Sequence, residues 1–348
     1  MTEAERRGAP SPGAVAVSGG GDSLALMLLL AEWAKARNIA PPAVLTVDHG
    51  LRETSGRDSR LVVDRAKTAG LKAHILRWTG ARPESDIEAA AREARYRLMG
   101  AWCEKHGVAG LYLAHTLEDQ AETFLLRLAR GSGIDGLSAM KIVAPLPSRN
   151  CDRVSVIRPL LGFRRAILRD YLSGLGQNWI EDPMNTDPRF ARVRVRDAWP
   201  VLESIGLSPM RIAAAAGHLA RAREALDTDT DELTAESCRI EGNSVLLDSA
   251  RLARAPREIG LRTLARLLMQ VSASEYRPRF ERLERLYTLI CAGPLNSGHT
   301  LHGCRIVPAR KAGAVFGPGT LLLLPEKAQT RRRGIRRQEE SAAKAAGN

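Results

Sequence analysis

The run Ala14-Val15-Ala16-Val17 breaks at Ser18-Gly19-Gly20-Gly21-Asp22-Ser23 and passes at once into Leu24-Ala25-Leu26-Met27-Leu28-Leu29-Leu30. Small apolar residues in so short a run suit a buried parallel strand. Leu24, Leu28 and Leu29 lie near one face of a helix over 22–37. The glycines between them let backbone amides approach an anion closely, and the helix start adds a favourable field. Strand, anion-binding loop and helix are therefore expected in that order. No lysine follows the glycines, so this is not a Walker A loop. Because tight turns also use glycine clusters, the rest of the chain has to decide the reading.

The pattern repeats. Strands are expected at 43–47, 72–77 and 110–114, and helices near 58–69, 87–106 and 117–129. Alternation of this kind predicts an α/β fold, a Rossmann-like parallel sheet with helices on both faces. Ligands of such sheets bind beyond the carboxyl ends of the strands, where Ser18, Asp48 and His115 fall. On the helix over 117–129, Leu117, Ala121, Phe124, Leu125 and Leu128 are expected to form a buried stripe, with Asp119 and Glu122 together on another face.

The chain has 348 residues, enough for at least two domains. Its longest apolar run, Leu24 to Ala31, is far shorter than the roughly 18–20 residues of a membrane span. Its N-terminal residues lack signal-peptide character, so a cytoplasmic location without membrane association is expected. Cys103, Cys151, Cys238, Cys291 and Cys304 include no close metal-binding pair and read as buried free thiols. With 52 basic and 39 acidic side chains the formal charge is +13, which suits a polyanionic partner.

Val154 to Trp199 is Arg-rich, with Arg158, Arg164, Arg165, Arg169, Arg189, Arg192, Arg194 and Arg196, and reads as a basic rim. A helix is expected over 208–226, and the Asp-Thr repeat at Asp227 to Asp231 reads as a soft boundary. The resulting organisation is a catalytic domain over 1–200, a helical linker over 201–234, a smaller α+β domain over 235–326, and a basic, disordered tail over 327–348. The second domain should hold helices near 256–270 and 277–290 and a hairpin around 304–324.

Ser-Gly-Gly-x-Asp-Ser between a small-apolar strand and an apolar helix resembles the PP-loop of the N-type ATP pyrophosphatases, which cleave ATP between its α- and β-phosphates. The resemblance implies that Ser18, Gly19, Gly20, Gly21 and Ser23 hold the leaving pyrophosphate with magnesium assisting. It makes Asp22 a magnesium ligand or general base, a role compatible with capping the helix.

Further segments resemble, in order, the motifs of the tRNA(Ile)-lysidine synthetase family: Val47-Asp48-His49-Gly50-Leu51-Arg52, Glu88 to Tyr96, His115 to Thr123, Arg130 to Leu137, Arg158-Pro159-Leu160-Leu161, and Glu181 to Asn185. They span roughly the first 200 residues. The implied enzyme is a carbon–nitrogen ligase: ATP adenylates the C2 oxygen of the wobble cytidine of an isoleucine tRNA, and the ε-amine of free L-lysine displaces AMP. The resemblance then makes Asp48, Asp119 and Glu122 candidate partners of the lysine cation and His115 a candidate for orienting phosphate or ribose. It makes Arg92, Arg95 and Arg130 candidates for phosphate or RNA contact. The family's Arg-Asn-x-x-Arg reads Arg192-Val193-Arg194-Val195-Arg196 here. A weaker match, Pro256 to Arg262 and Thr300 to Arg305, resembles the family's small substrate-binding domain.

Three other readings stand beside this one. A cytidine thiolase would use the same loop with paired cysteines, a PP-loop amidotransferase would need a glutaminase, and an RNA-binding module could keep the fold without the chemistry.

Overall fold

Helix α1 (Thr2–Arg6) precedes β1 (Ala14–Ala16), which lies mid-sheet with a parallel neighbour on each side. The elements that follow are α2 (Gly21–Arg37), β2 (Ala43–Asp48), α3 (Ser55–Thr68), β3 (Ala73–Arg77), α4 (Ile87–Lys105), β4 (Gly110–Tyr112) and α5 (Leu117–Leu128). Then come α6 (Ile134–Leu137), β5 (Val143–Pro145), β6 (Ser155–Ile157), α7 (Arg165–Gly174), α8 (Ala191–Asp197) and α9 (Trp199–Ser204). The computed structural model describes residues 1–50, 54–79, 87–148, 151–181, 187–295, 297–309 and 314–326, leaving the side chains of Thr2 and Glu88 aside. The tail from Lys327, Leu51-Arg52 and Asp182 to Asn185 lie outside the described residues.

The six-stranded sheet has the order β3-β2-β1-β4-β6-β5. Register fixes which side chains share a face: Val15 pairs with Val44 and Tyr112, and Tyr112 with Ile157. Those four pack with Leu24, Met27 and Leu30 of α2, Val62 and Ala66 of α3, and Leu168 and Leu172 of α7. The alternate set, Ala14, Leu45, Leu111 and Val156, packs with Tyr96, Met99 and Cys103 of α4. Both faces are covered, which is why these strands read as nearly continuous apolar runs. Among the described residues only β5 departs from the expected parallel sheet, pairing antiparallel with β6 at the edge. Chain order reverses between β1 and β4, so the crevice beyond their carboxyl ends is the switch point where such sheets bind ligands.

The chain forms two compact units, Met1–Arg221 and Ala222–Asn348, with the division inside helix α10 (Pro209–Ser237). The second unit contains β7 (Cys238–Glu241), β8 (Ser244–Asp248), α11 (Ser249–Arg254), α12 (Arg257–Ser272), α13 (Phe280–Cys291), β9 (His299–Leu301), β10 (Cys304–Pro308) and β11 (Thr320–Pro325). Its antiparallel sheet, ordered β7-β8-β11-β10-β9, buries Leu247, Ile306 and Leu323 against Leu264, Leu268 and Leu286. The expected hairpin is β10 with β11.

Three expectations need correction. The Asp-Thr repeat is helical, because α10 continues through it: Thr228, Thr230 and Thr234 donate to the carbonyls four residues back, while Asp227 and Asp231 meet Arg262 and Arg266 of α12. On α5 the buried residues are Asp119, Gln120, Ala121 and Glu122, whereas Leu128 is 50% exposed. The acids are inside because arginines of α7 and α8 cover them. Cys103, Cys151 and Cys304 are buried, but Cys238 and Cys291 are only half-buried.

Candidate functional site

The loop between β1 and α2 is held in one shape by its own groups. Gly19 has φ +92°, where a side chain is strained. A Cβ there would stand 2.6 Å from Cδ1 of Ile180, whose amide donates to the Gly19 carbonyl at 3.0 Å. A Cβ on Gly21 would stand 3.4 Å from the Trp179 ring. The segment after α7 therefore lies against the loop. The Ser23 hydroxyl donates to the Gly20 carbonyl at 2.9 Å and accepts from the Ser18 amide at 3.2 Å. Leu24 N closes the first α2 hydrogen bond on Gly20. The amides preceding it in that first turn have no partner within the helix, the general condition for receiving an anion.

Asp22, Asp119 and Glu122 come together around the guanidinium of Arg165, a residue of the Arg-rich segment expected to form a basic rim. Arg165 Nε donates to Asp22 Oδ2 at 2.9 Å, Nη2 to Asp119 Oδ1 at 3.4 Å, and Nη1 lies 3.9 Å from Glu122 Oε1. Arg196 forks onto Glu122 at 2.7 and 3.2 Å, and Arg192 lies 3.6 Å from Asp119. Three carboxylates thus face three guanidiniums. Glu118 sets the geometry by accepting the Arg165 backbone amide at 3.2 and 3.0 Å, which fixes the start of α7. Tyr171 bonds Glu32 at 2.9 Å and ties α7 to α2. Burial raises the Asp22 carboxyl above its ordinary range despite Arg165. Burial also pushes Asp119 upward, but Arg165 and the Thr116 amide outweigh it and hold that carboxyl low. Asp119 Oδ2 accepts both the amide and the hydroxyl of Thr116, at 2.8 and 3.0 Å, closing a capping box at the start of α5.

The other expected residues stand at varying remove. His115 follows β4 at the switch point; burial lowers its pKa to about 4, and its Nδ1 is buried without a hydrogen-bond partner among the described residues. Arg158, 8% exposed, leaves Nε without one while Nη1 donates to the Lys141 carbonyl at 3.0 Å. Arg92 bonds the Tyr96 hydroxyl at 3.1 Å. Asp48 stands one strand over at the same sheet end, where it accepts the Ser55 hydroxyl and the Gly50 amide; those bonds hold its carboxyl low. Arg130 is exposed beyond the end of α5, two turns or roughly 12 Å along the axis from Glu122. The structure does not bring it to the acidic cluster.

A family model described as PP-loop domain matches residues 7–202. The chain is 43% identical to the tRNA(Ile)-lysidine synthase of Ruegeria pomeroyi, over 76% of this chain and 62% of that protein. It is 36% identical to the one from Wolbachia pipientis wMel, over 84% and 67%, and 41% identical to that of Bradyrhizobium sp. BTAi1, over 77% and 78%. The matched part therefore spans less than two thirds of the Ruegeria protein. Among solved structures, a U34-tRNA thiolase from Methanococcus maripaludis aligns with a TM-score of 0.49 at 17% identity, over 60% of this chain and 72% of that one. With its loop, its switch-point crevice and the acidic helix behind it, the chain belongs to the tRNA(Ile)-lysidine synthase family of PP-loop proteins.

Proposed function

We propose that this chain is an enzyme, an ATP-dependent carbon–nitrogen ligase that converts the wobble cytidine of an isoleucine tRNA to lysidine. The observation that carries the reading is the meeting of Asp22, from the anion loop, with Asp119 and Glu122 across Arg165. A phosphate site and an acidic site for an amine then share one crevice. In the first step the cytidine C2 oxygen attacks the α-phosphorus and pyrophosphate leaves. Ser18, Ser23 and the amides around Gly19, Gly20 and Gly21 hold that pyrophosphate, worth several kcal/mol of the barrier in comparable oxyanion sites, about 3–4 per donor at most. In the second step the lysine ammonium first gives a proton to solvent, the ε-amine attacks C2, the C2–O bond breaks, AMP departs with the oxygen, and the nitrogen loses one further proton to solvent. Asp119 and Glu122 hold the lysine cation beforehand, His115 stays neutral beside the phosphate or ribose, and Asp48 lines the same sheet end.

Among the described residues no three His, Cys, Asp or Glu side chains gather into a metal cage. The donors suit instead a magnesium carried in by ATP, held by the Asp22 carboxylate and phosphate oxygens. That ion would neutralise charge on the leaving pyrophosphate. No helix among the described residues is long and apolar enough to cross a membrane.

We also propose a division of labour in which residues 1–200 adenylate, 201–234 link, and 235–326 bind tRNA, with Arg130 touching RNA backbone. In the second unit a cavity of about 360 Å³ lined by Arg282, Arg285, His299 and His302 supports RNA binding there. The test is Asp22→Ala: adenylation should vanish while most tRNA affinity survives. Equal loss of tRNA binding would refute that separation.

A further inference from the structure

Arg165 does more than complete the acidic cluster. Its guanidinium touches both halves of the crevice, the loop through Asp22 and α5 through Asp119 and Glu122. Asp22, Asp119 and Glu122 give three negative charges, and Arg165, Arg192 and Arg196 give three positive ones. The cluster is balanced and offers a further cation nothing. ATP changes that count, because its phosphates arrive at a loop whose Asp22 already holds Arg165 at 2.9 Å. A phosphate can take a guanidinium through two parallel N–H donors, whereas Asp22 and Asp119 each accept one from Arg165. Arg165 is a half-buried side chain with a fixed backbone amide, so it can swing without moving α7. Once it does, with Asp22 taken by the magnesium of the nucleotide, Asp119 keeps Arg192 and Glu122 keeps Arg196, and the place that Arg165 leaves between them is open to one ammonium.

We propose that Arg165 couples the two half-sites and orders the reaction: by leaving Asp119 and Glu122 for a phosphate oxygen of ATP, it opens the acidic pocket to lysine only when nucleotide is in place. This rests on the reading that Asp119 and Glu122 receive the amine. Reciprocity of linked equilibria requires lysine to tighten nucleotide binding by the same factor. The chemical advantage is that the amine is admitted only to a site holding the nucleotide that will activate the base.

The test is calorimetric titration of L-lysine into the full chain, with and without magnesium α,β-methylene-ATP, which cannot be cleaved between those phosphates. In the wild type the analogue should tighten lysine binding at least about tenfold. Arg165→Gln should bind lysine without nucleotide about as tightly as the wild type does with it, and the nucleotide effect should shrink to under about twofold. Arg165→Lys keeps the charge but loses the fork, and should show an intermediate ratio; if the Gln variant fails to fold, this variant carries the test. Wild-type lysine affinity indifferent to nucleotide, a variant ratio equal to the wild type's, or no lysine binding in any state would overturn the proposal. Lysidine formation by the same wild-type preparation separates the two failures: product without coupling sinks only the role of Arg165, and no product sinks the function itself.

Discussion

Replacing Gly19 by alanine should damage the loop far more than replacing its neighbour Gly20. At Gly19 the backbone sits at φ +92°, and the new methyl would stand 2.6 Å from Cδ1 of Ile180. The left-handed conformation costs a non-glycine residue roughly 1–2 kcal/mol. Forcing a methyl into a packed contact adds about 1–3 kcal/mol, toward the low end because the end of the Ile180 side chain can yield. The sum is about 2–4 kcal/mol. At roughly 2–4 °C per kcal/mol for a unit of this size, the thermal midpoint should fall by roughly 5–15 °C. At Gly20 the φ of −69° is ordinary, and a Cβ would find Ser18 Oγ at 3.6 Å, a normal contact. Gly20→Ala should then stay within about 0.5 kcal/mol of the parent. Thermal denaturation checks stability, and binding of an ATP analogue checks the loop, where Gly19→Ala should lose affinity through displacement of the Ser18 and Ser23 groups. Equal midpoints for the two variants, or a Gly19→Ala protein that binds nucleotide normally, would refute the reasoning.

Two further outcomes follow from buried charge. His115 has a folded pKa near 4, below its unfolded value, so the unfolded chain takes up the proton first: stability is undisturbed above pH about 6.5 and falls as pH drops toward 4, by roughly 2–3 kcal/mol. Denaturant titrations across that window should show the loss, and His115→Asn should remove it. In the second unit, Arg262 is 4% exposed and bonds Glu258 at 2.8 Å, with Asp227 3.4 Å away. Both acids can reach water, so Arg262→Met should be neutral or stabilising, whereas Arg262→Ala should cost about 2 kcal/mol or more by leaving a cavity. Thermal midpoints of the two variants decide it.

The loop, the alternating strands and the polar strand ends were legible in the sequence because each is a local signal: glycines where amides must approach, small apolar runs where a strand is covered twice, and Ser18, Asp48 and His115 where those runs stop. The partners of Asp22, Asp119 and Glu122 were not. Arg165 is 143 residues from Asp22, and in a chain with so many arginines nothing local marks which one turns inward. The same tertiary contact changed the reading of α5, where Asp119, Gln120 and Glu122 are buried along with Ala121 of the expected stripe. Helix α10 ran past its expected end for a comparable reason, since Asp227 and Asp231 are matched by α12 rather than by a turn. One pair does carry a local signal: Arg192 and Arg196 are four apart on a short helix and present one face to α5.

The central claim is that the cytidine itself is adenylated before lysine attacks. It is tested most directly by an isoleucine tRNA carrying ¹⁸O at C2 of the wobble cytidine, incubated with ATP, magnesium and L-lysine. The mechanism predicts lysidine at that position, pyrophosphate formed once per tRNA even without lysine, AMP formed only when both tRNA and lysine are present, and the label recovered in AMP. Lysidine formed with the label in any product other than AMP, or no modification of that cytidine, would contradict it.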